Sequence, residues 1–195
     1  GGRLFSLIAD RAAGMRSPRS ASRHIEAGST MVRRLERQRQ LRGHRGCVNC
    51  CSFSNGEGRE LITGSDDLTV KVWDWKTGAL LHSHDTGHGG NIFQAKQLRG
   101  SRDIATCDAS GEVRLLHIGE TGTMDAVTLL GKHRGRAHKI SLHPTDDETF
   151  LSCAEDGIVH MHDRRAPRTA PFLRVIKHSE GSSEPQTLPL HAVAY

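Results

Sequence analysis

The run Thr63-Gly64-Ser65-Asp66-Asp67-Leu68-Thr69-Val70-Lys71-Val72-Trp73-Asp74 decides the fold. It reads as two strands joined by a tight turn. Residues 63–65 end the first strand and Asp66-Asp67-Leu68 turns the chain. Residues 69–73 then carry β-branched and apolar side chains at alternate positions. The second strand closes on Trp73-Asp74. Upstream stands Gly43-His44, with His44 placed 23 residues before Asp67. A turn at the exposed end of a sheet needs internal polar ties. A turn Asp accepts from one His ring nitrogen, a strand hydroxyl bonds the other, and a Trp indole N–H donates to that hydroxyl.

The same frame recurs along the chain. His44 is followed at plus four by Val48, at plus seven by Cys51 and at plus nine by Phe53. Gly87-His88 is followed at those offsets by Ile92, Ala95 and Gln97, and His133 by Ala137, Ile140 and Leu142. The three starts lie 44 and then 45 residues apart. Asp67 is matched by Ser110 and Asp156, Thr63 by Thr106 and Ser152, and Trp73-Asp74 by Leu116-His117 and His162-Asp163. Leu190, Val193 and Tyr195 open a fourth copy.

A Gly-His start and a Trp-Asp finish about 30 residues apart, inside this period, resemble the WD40 repeat, one four-stranded blade of a β-propeller. The resemblance implies an all-β, partial β-propeller with three complete blades, about residues 43–86, 87–131 and 132–176. The first strand of a fourth follows at 188–195. It also implies a tetrad of His44, Thr63, Asp67 and Trp73 that holds blade one and does no chemistry. His88 and Thr106 are the partial counterparts in blade two, which lacks both Asp and Trp. His133, Ser152 and Asp156 are those in blade three, which lacks the Trp. Residues 35–41 are assigned to an outer-edge strand, and residues 177–189 to a long polar loop. A propeller closes with roughly four to eight blades, so the chain is expected to be the N-terminal part of a longer protein.

Charge is unevenly placed. The net charge is +5, with 27 basic and 22 acidic residues. Residues 1–42 hold ten arginines against Asp10, Glu26 and Glu36, and the rest of the chain nearly balances. Residues 1–30 have no hydrophobic period and are expected to form a disordered basic arm. Ser29 or Thr30 is placed to cap a short helix through residues 31–35. The Arg-rich start also resembles an organelle transit peptide. The arm suits phosphate backbones by charge, but residues 6–42 contain no aromatic side chain, which argues against nucleic acid as a partner. No run of 18 apolar residues occurs, so no membrane partner is expected. Five cysteines, an odd number, read as reduced thiols in a cytoplasmic or nuclear protein.

Several local runs narrow the family. They are Val32-Arg33-Arg34-Leu35-Glu36, Gly43-His44-Arg45-Gly46-Cys47-Val48-Asn49, Trp73-Asp74-Trp75, Asn91-Ile92-Phe93-Gln94-Ala95-Lys96 and Lys132-His133-Arg134-Gly135-Arg136-Ala137-His138-Lys139. Together they resemble the DCAF group of WD40 proteins, the factors associated with the damaged-DNA-binding adaptor and cullin-4, in the number-eight branch and its plant relatives. The resemblance implies a non-catalytic substrate receptor of a cullin–RING ubiquitin ligase. Its partners would be the adaptor and a protein substrate. The alternative is a WD40 scaffold unconnected to the ligase. Such receptors carry a Trp-Asp-x-Arg box at a blade end. Blade three reads His162-Asp163-Arg164-Arg165, with Asp163 and Arg165 in place and the Trp absent. Blade one reads Trp73-Asp74-Trp75-Lys76, and Lys lacks the planar five-donor fork. Asp163 and Arg165 are therefore the candidate adaptor contacts.

Other constellations carry less. His82 and His84 share a strand face, but His88 belongs to the repeat frame and no fourth ligand stands nearby, so no metal is assigned. Cys47 and Cys50 lie three apart on a strand and so diverge, which argues against a redox pair. No nucleotide loop, nucleophile elbow or paired helical carboxylates occur, and neither cofactor nor catalysis is expected.

Overall fold

A computed structural model describes residues 36–55, 58–166, 170–177 and 186–195. The chain divides into two compact units, Gly1–Gln40 and Leu41–Tyr195. In the first unit only residues 36–40 are described, and they form no regular structure. The outer-edge strand assigned to residues 35–41 is thus corrected. Leu35, Leu41 and the charged residues between them alternate, but residues 36–41 are not in a strand, and alternation without a ladder does not make one. The basic arm at 1–30, the helix at 31–35 and most of the polar loop, 178–185, lie outside the described residues.

The second unit is a series of three four-stranded antiparallel sheets, each a meander in chain order. Blade one contains β1 (Val48–Phe53), β2 (Glu60–Ser65), β3 (Thr69–Asp74) and β4 (Ala79–Asp85). Blade two contains β5 (Ile92–Gln97), β6 (Ile104–Asp108), β7 (Glu112–Ile118) and β8 (Met124–Lys132). Blade three contains β9 (Ala137–Leu142), β10 (Thr149–Ala154), β11 (Ile158–Asp163) and β12 (Ala170–Arg174). A short hairpin follows, β13 (Ile176–Lys177) with β14 (Gln186–Thr187).

The core lies between blades. Cys50, Ile62, Val70 and Val72 of blade one meet Ile92, Ala95, Ile104 and Leu116 of blade two. Ala105, Cys107, Val113 and Leu115 then meet Ala137, Ile140, Phe150 and Ala154 of blade three. β2 and β6 are buried on both faces, so they lack clean alternation. Gln97 breaks the apolar rule for a reason. It accepts from the Asn55 N–H at 3.0 Å, and its carbonyl accepts from Asn55 Nδ2 at 3.1 Å, tying blade two to blade one.

The turn between the two middle strands of a blade demands a left-handed residue. Blades two and three place Gly111 and Gly157 there, at φ 87° and 71°, while blade one places Leu68 at φ 64°. A non-glycine in that region costs roughly 1–2 kcal/mol. The Leu68 carbonyl is pinned by Thr86, whose N–H and hydroxyl donate to it at 3.3 and 2.8 Å.

Residues 188–195 lie against blade three. Leu190 and Val193 pack on Leu151, Cys153 and Val159, and the Leu190 N–H donates to the Ala154 carbonyl at 3.0 Å. This is where a fourth blade's first strand belongs. The segment forms no ladder, because among the described residues no second strand runs beside it.

Candidate protein-interaction site

Each blade end is tied by a buried polar chain. In blade one His44 Nδ1 lies 2.9 Å from Asp67 Oδ2, and His44 Nε2 lies 2.7 Å from Thr63 Oγ1. The Trp73 indole N–H donates to the same hydroxyl oxygen at 2.9 Å. A carboxylate only accepts, so Nδ1 carries the proton and Nε2 accepts from Thr63. Asp67 also accepts from the Arg45 N–H and the Thr69 hydroxyl. Burial opposes its ionisation, but the Thr69, Arg45 and His44 donors outweigh burial and hold the carboxyl far below its usual range. Gly43 is required by contact, since a Cβ there would lie 2.7 Å from the Trp73 ring.

Blade three builds the chain with a different donor. His133 Nδ1 lies 3.2 Å from Asp156 Oδ2, and His133 Nε2 lies 2.8 Å from Ser152 Oγ. The indole's place is taken by His162, whose Nε2 lies 2.8 Å from Ser152 Oγ. The repeat frame leaves this position without a Trp. The structure shows a substituted N–H, in a pocket narrowed by Phe150, whose ring stacks on His162 at 4.7 Å. Burial, then the neighbouring His160 and His133, push the His162 pKa down to about 3.

Blade two corrects another expectation. The acid at its turn is Asp108, not the residue at Ser110. Asp108 Oδ2 lies 3.3 Å from His88 Nδ1, a close but off-line approach, and accepts from the Gly90 N–H at 3.0 Å. Ser110 supports it by donating to Asp108 at 2.7 Å. His88 Nε2 and Thr106 Oγ1 stand 2.8 Å apart. Leu116, fully buried, fills the Trp position.

An Asp-His-Ser series invites comparison with acyl-transfer sites. Here Ser152 is 0% exposed and its oxygen is already shared by two imidazoles. No substrate reaches it, and these chains serve the fold. Cys47 is exposed and Cys50 buried, and burial pushes the Cys50 thiol up to about 11. His82 and His84 stack at 5.9 Å, while His88 is held apart by Thr106.

The end of blade three differs from the other two. Arg165 grips Asp163 with both teeth of its fork, Nε to Oδ1 at 2.9 Å and Nη2 to Oδ2 at 2.8 Å. Its backbone N–H adds a third bond to Oδ1 at 2.9 Å. The arginine donors hold the Asp163 carboxyl down to about 2. The Arg165 side chain stays 62% exposed. In blade one Asp74 accepts from the Thr77 side chain and from the backbone N–H groups of Lys76 and Thr77, and the Lys76 ammonium sits over the Trp75 ring at 5.7 Å.

Beside Arg165 runs a groove of about 330 Å³ between blades two and three, lined by Leu115, His117, Leu129, Leu130, Arg164 and Arg165. Arg164 closes one side. Its Nη2 donates to Asp103 Oδ2 at 2.6 Å across the blade boundary, and Asp103 Oδ1 accepts from the Ile118 N–H at 3.1 Å. Arg99 adds a second crossing by donating to the Pro144 carbonyl. Leu129 is 52% exposed at the rim. The sequence names Asp163 and Arg165 as candidates but gives no sign of Asp103 and Arg164 meeting, because they are 61 residues apart.

Residues 35–74 match the family described as WD domain, G-beta repeat. The chain is a WD40-repeat protein. A solved structure of RRP9 WD40 repeats superposes with a TM-score of 0.61 at 25% identity, covering 74% of this chain and 42% of that one. Protein ALTERED SEED GERMINATION 2 of Arabidopsis thaliana is 33% identical over 87% of this chain and 23% of its own length. Human WD and tetratricopeptide repeats protein 1 is 36% identical over 75% of this chain and 21% of its own length. Human DDB1- and CUL4-associated factor 6 is 30% identical over 81% of this chain and 18% of its own length. These likenesses are consistent with a DCAF-type WD40 protein. The chain spans about a fifth of the length of these relatives.

Proposed function

We propose that this WD40 protein is a substrate receptor of a cullin-4-type RING ubiquitin ligase and docks on the ligase's DDB1-type adaptor through the end of blade three. The observation that carries the reading is the exposed, bidentate Asp163–Arg165 pair beside a groove of mixed polar and apolar lining. Asp163 fixes the guanidinium plane before any partner arrives, so little side-chain entropy remains to be lost on docking. Arg165 Nη1 makes no hydrogen bond among the described residues and is left to donate to an adaptor carbonyl or carboxylate. Leu129 supplies apolar area next to it. Likeness to a protein named for association with DDB1 and CUL4 supports the same direction.

Arg165→Ala is expected to weaken binding of purified adaptor to the full-length protein at least about tenfold, roughly 1.4 kcal/mol. Its melting temperature should barely change, since exposed ion pairs contribute about 0–1 kcal/mol. Arg165→Lys should rescue binding poorly, because the planar fork is gone. Titration calorimetry with each variant is the test. Unchanged affinity for Arg165→Ala favours the second reading, a WD40 scaffold that assembles other proteins without the ligase.

A further inference from the structure

The first strand of each blade carries a β-bulge at the same place. Pairing skips from Val48 to Cys50, from Ile92 to Gln94 and from Ala137 to Lys139. The extra residues are Asn49, Phe93 and His138. A bulge takes its residue out of the ladder and re-aims the side chain, and such devices gather beside functional sites. In the fourth copy the same frame position falls on His191, directly after Leu190.

The three bulges present different chemistry. Asn49 donates to Asp66 at 2.6 Å, an ordinary amide–carboxylate bond. Phe93 has no polar group and stacks face to face on His138, at 5.2 Å and 6°. His138 Nε2 lies 3.0 Å from Glu155 Oε1, and the His191 ring sits 4.6 Å from the His138 ring. Ligand atoms of His138, Glu155 and His191 all lie within 4.8 Å of one another.

We propose that His138, Glu155 and His191 form a binding site for a zinc-class divalent cation, joining blade three to the segment that follows it. Two imidazoles and one carboxylate are the donor set of a three-ligand zinc site, with bonds of about 2.0–2.2 Å and ligand atoms roughly 3.4 Å apart. The His138–Glu155 pair, at 3.0 Å, needs to open by only a few tenths of an ångström to reach that spacing. His191 is exposed, on a segment without strand pairing, and closes the remaining distance by rotation of its side chain. The other two ligands are rigid. Phe93 fixes the His138 plane, and the Glu155 N–H donates to the Arg136 carbonyl at 3.0 Å. Neutral imidazoles and one carboxylate give the site a charge of about −1, suited to a dication. A fourth position remains for water or for a donor from a partner.

The other three-residue grouping, His88, Asp108 and Glu112, carries no such site. Glu112 is committed to Arg114 at 2.8 Å and Lys132 at 3.3 Å.

The test is calorimetric titration of the full chain, freed of metal by chelation, with Zn²⁺ and separately with Mg²⁺. One equivalent of Zn²⁺ should bind and Mg²⁺ should not, since Mg²⁺ takes oxygen ligands. His138→Asn restores the blade-one arrangement of an amide on a carboxylate, so the fold should persist while Zn²⁺ affinity falls at least about tenfold. His191→Ala alters an exposed residue and should lose as much. Absence of Zn²⁺ binding by the wild-type chain overturns the proposal. So does affinity unchanged in both variants, which would place the ion on other histidines, or equal binding of Mg²⁺.

Discussion

Trp73→Ala is expected to destabilise the protein by about 3–5 kcal/mol, the range for removing a large buried aromatic. Trp73 is 2% exposed, and the Gly43 backbone packs directly on its ring. The change opens a cavity and also removes the indole donor from Thr63. Trp73→Phe separates the two effects. It keeps most of the ring, drops the N–H, and should cost about 1–2 kcal/mol. Denaturant unfolding of the full chain measures both. Near-zero cost for both variants would contradict the tetrad as the tie of blade one.

Acid should unfold the protein from blade three. His162 has a pKa of about 3 in the fold, against about 6.5 in the unfolded chain. Between those values the unfolded state binds the extra proton, so stability rises with pH. The contribution is complete above about pH 6.5 and drains as pH falls toward 3. At pH 4 the loss is about 2–3 kcal/mol relative to pH 7. Burial lowers His133 and His160 in the same direction, and the three imidazoles titrate as a coupled group. Asp67 and Asp163, held low by their donors, lose their contribution only at still lower pH. The discriminating variant carries Phe150→Leu with His162→Trp. Blade one pairs Leu61 with Trp73 where blade three pairs Phe150 with His162. The double change therefore copies the blade-one pairing and should make the loss of stability between pH 6.5 and 4 less steep, with His133 and His160 still contributing. An unchanged slope would remove His162 as the acid-sensitive group.

The repeat frame was legible because each first strand starts at a fixed offset from its His. It placed β1, β5 and β9, and the residues at His44, Thr63, Asp67 and Trp73 lie together as a chain of hydrogen bonds. Fixed offsets also misled. They pointed to Ser110 in the turn, whereas the carboxylate of blade two comes from Asp108, two residues earlier at the last position of β6. They recorded position 162 as a missing Trp, although an imidazole N–H can do the indole's work. Alternation alone suggested a strand before Gly43, but alternation says nothing about whether a partner exists. The Arg164–Asp103 crossing and the bulges at Asn49, Phe93 and His138 depend on how blades pack and pair, which no local pattern encodes.

The adaptor-docking claim is tested most directly by amide hydrogen exchange of the full-length protein with and without purified adaptor. Docking at the end of blade three should slow exchange at residues 162–166 and 127–130, the two sides of the groove, and leave blade one unchanged. Protection confined to other blades, or no protection anywhere at saturating adaptor, would contradict it.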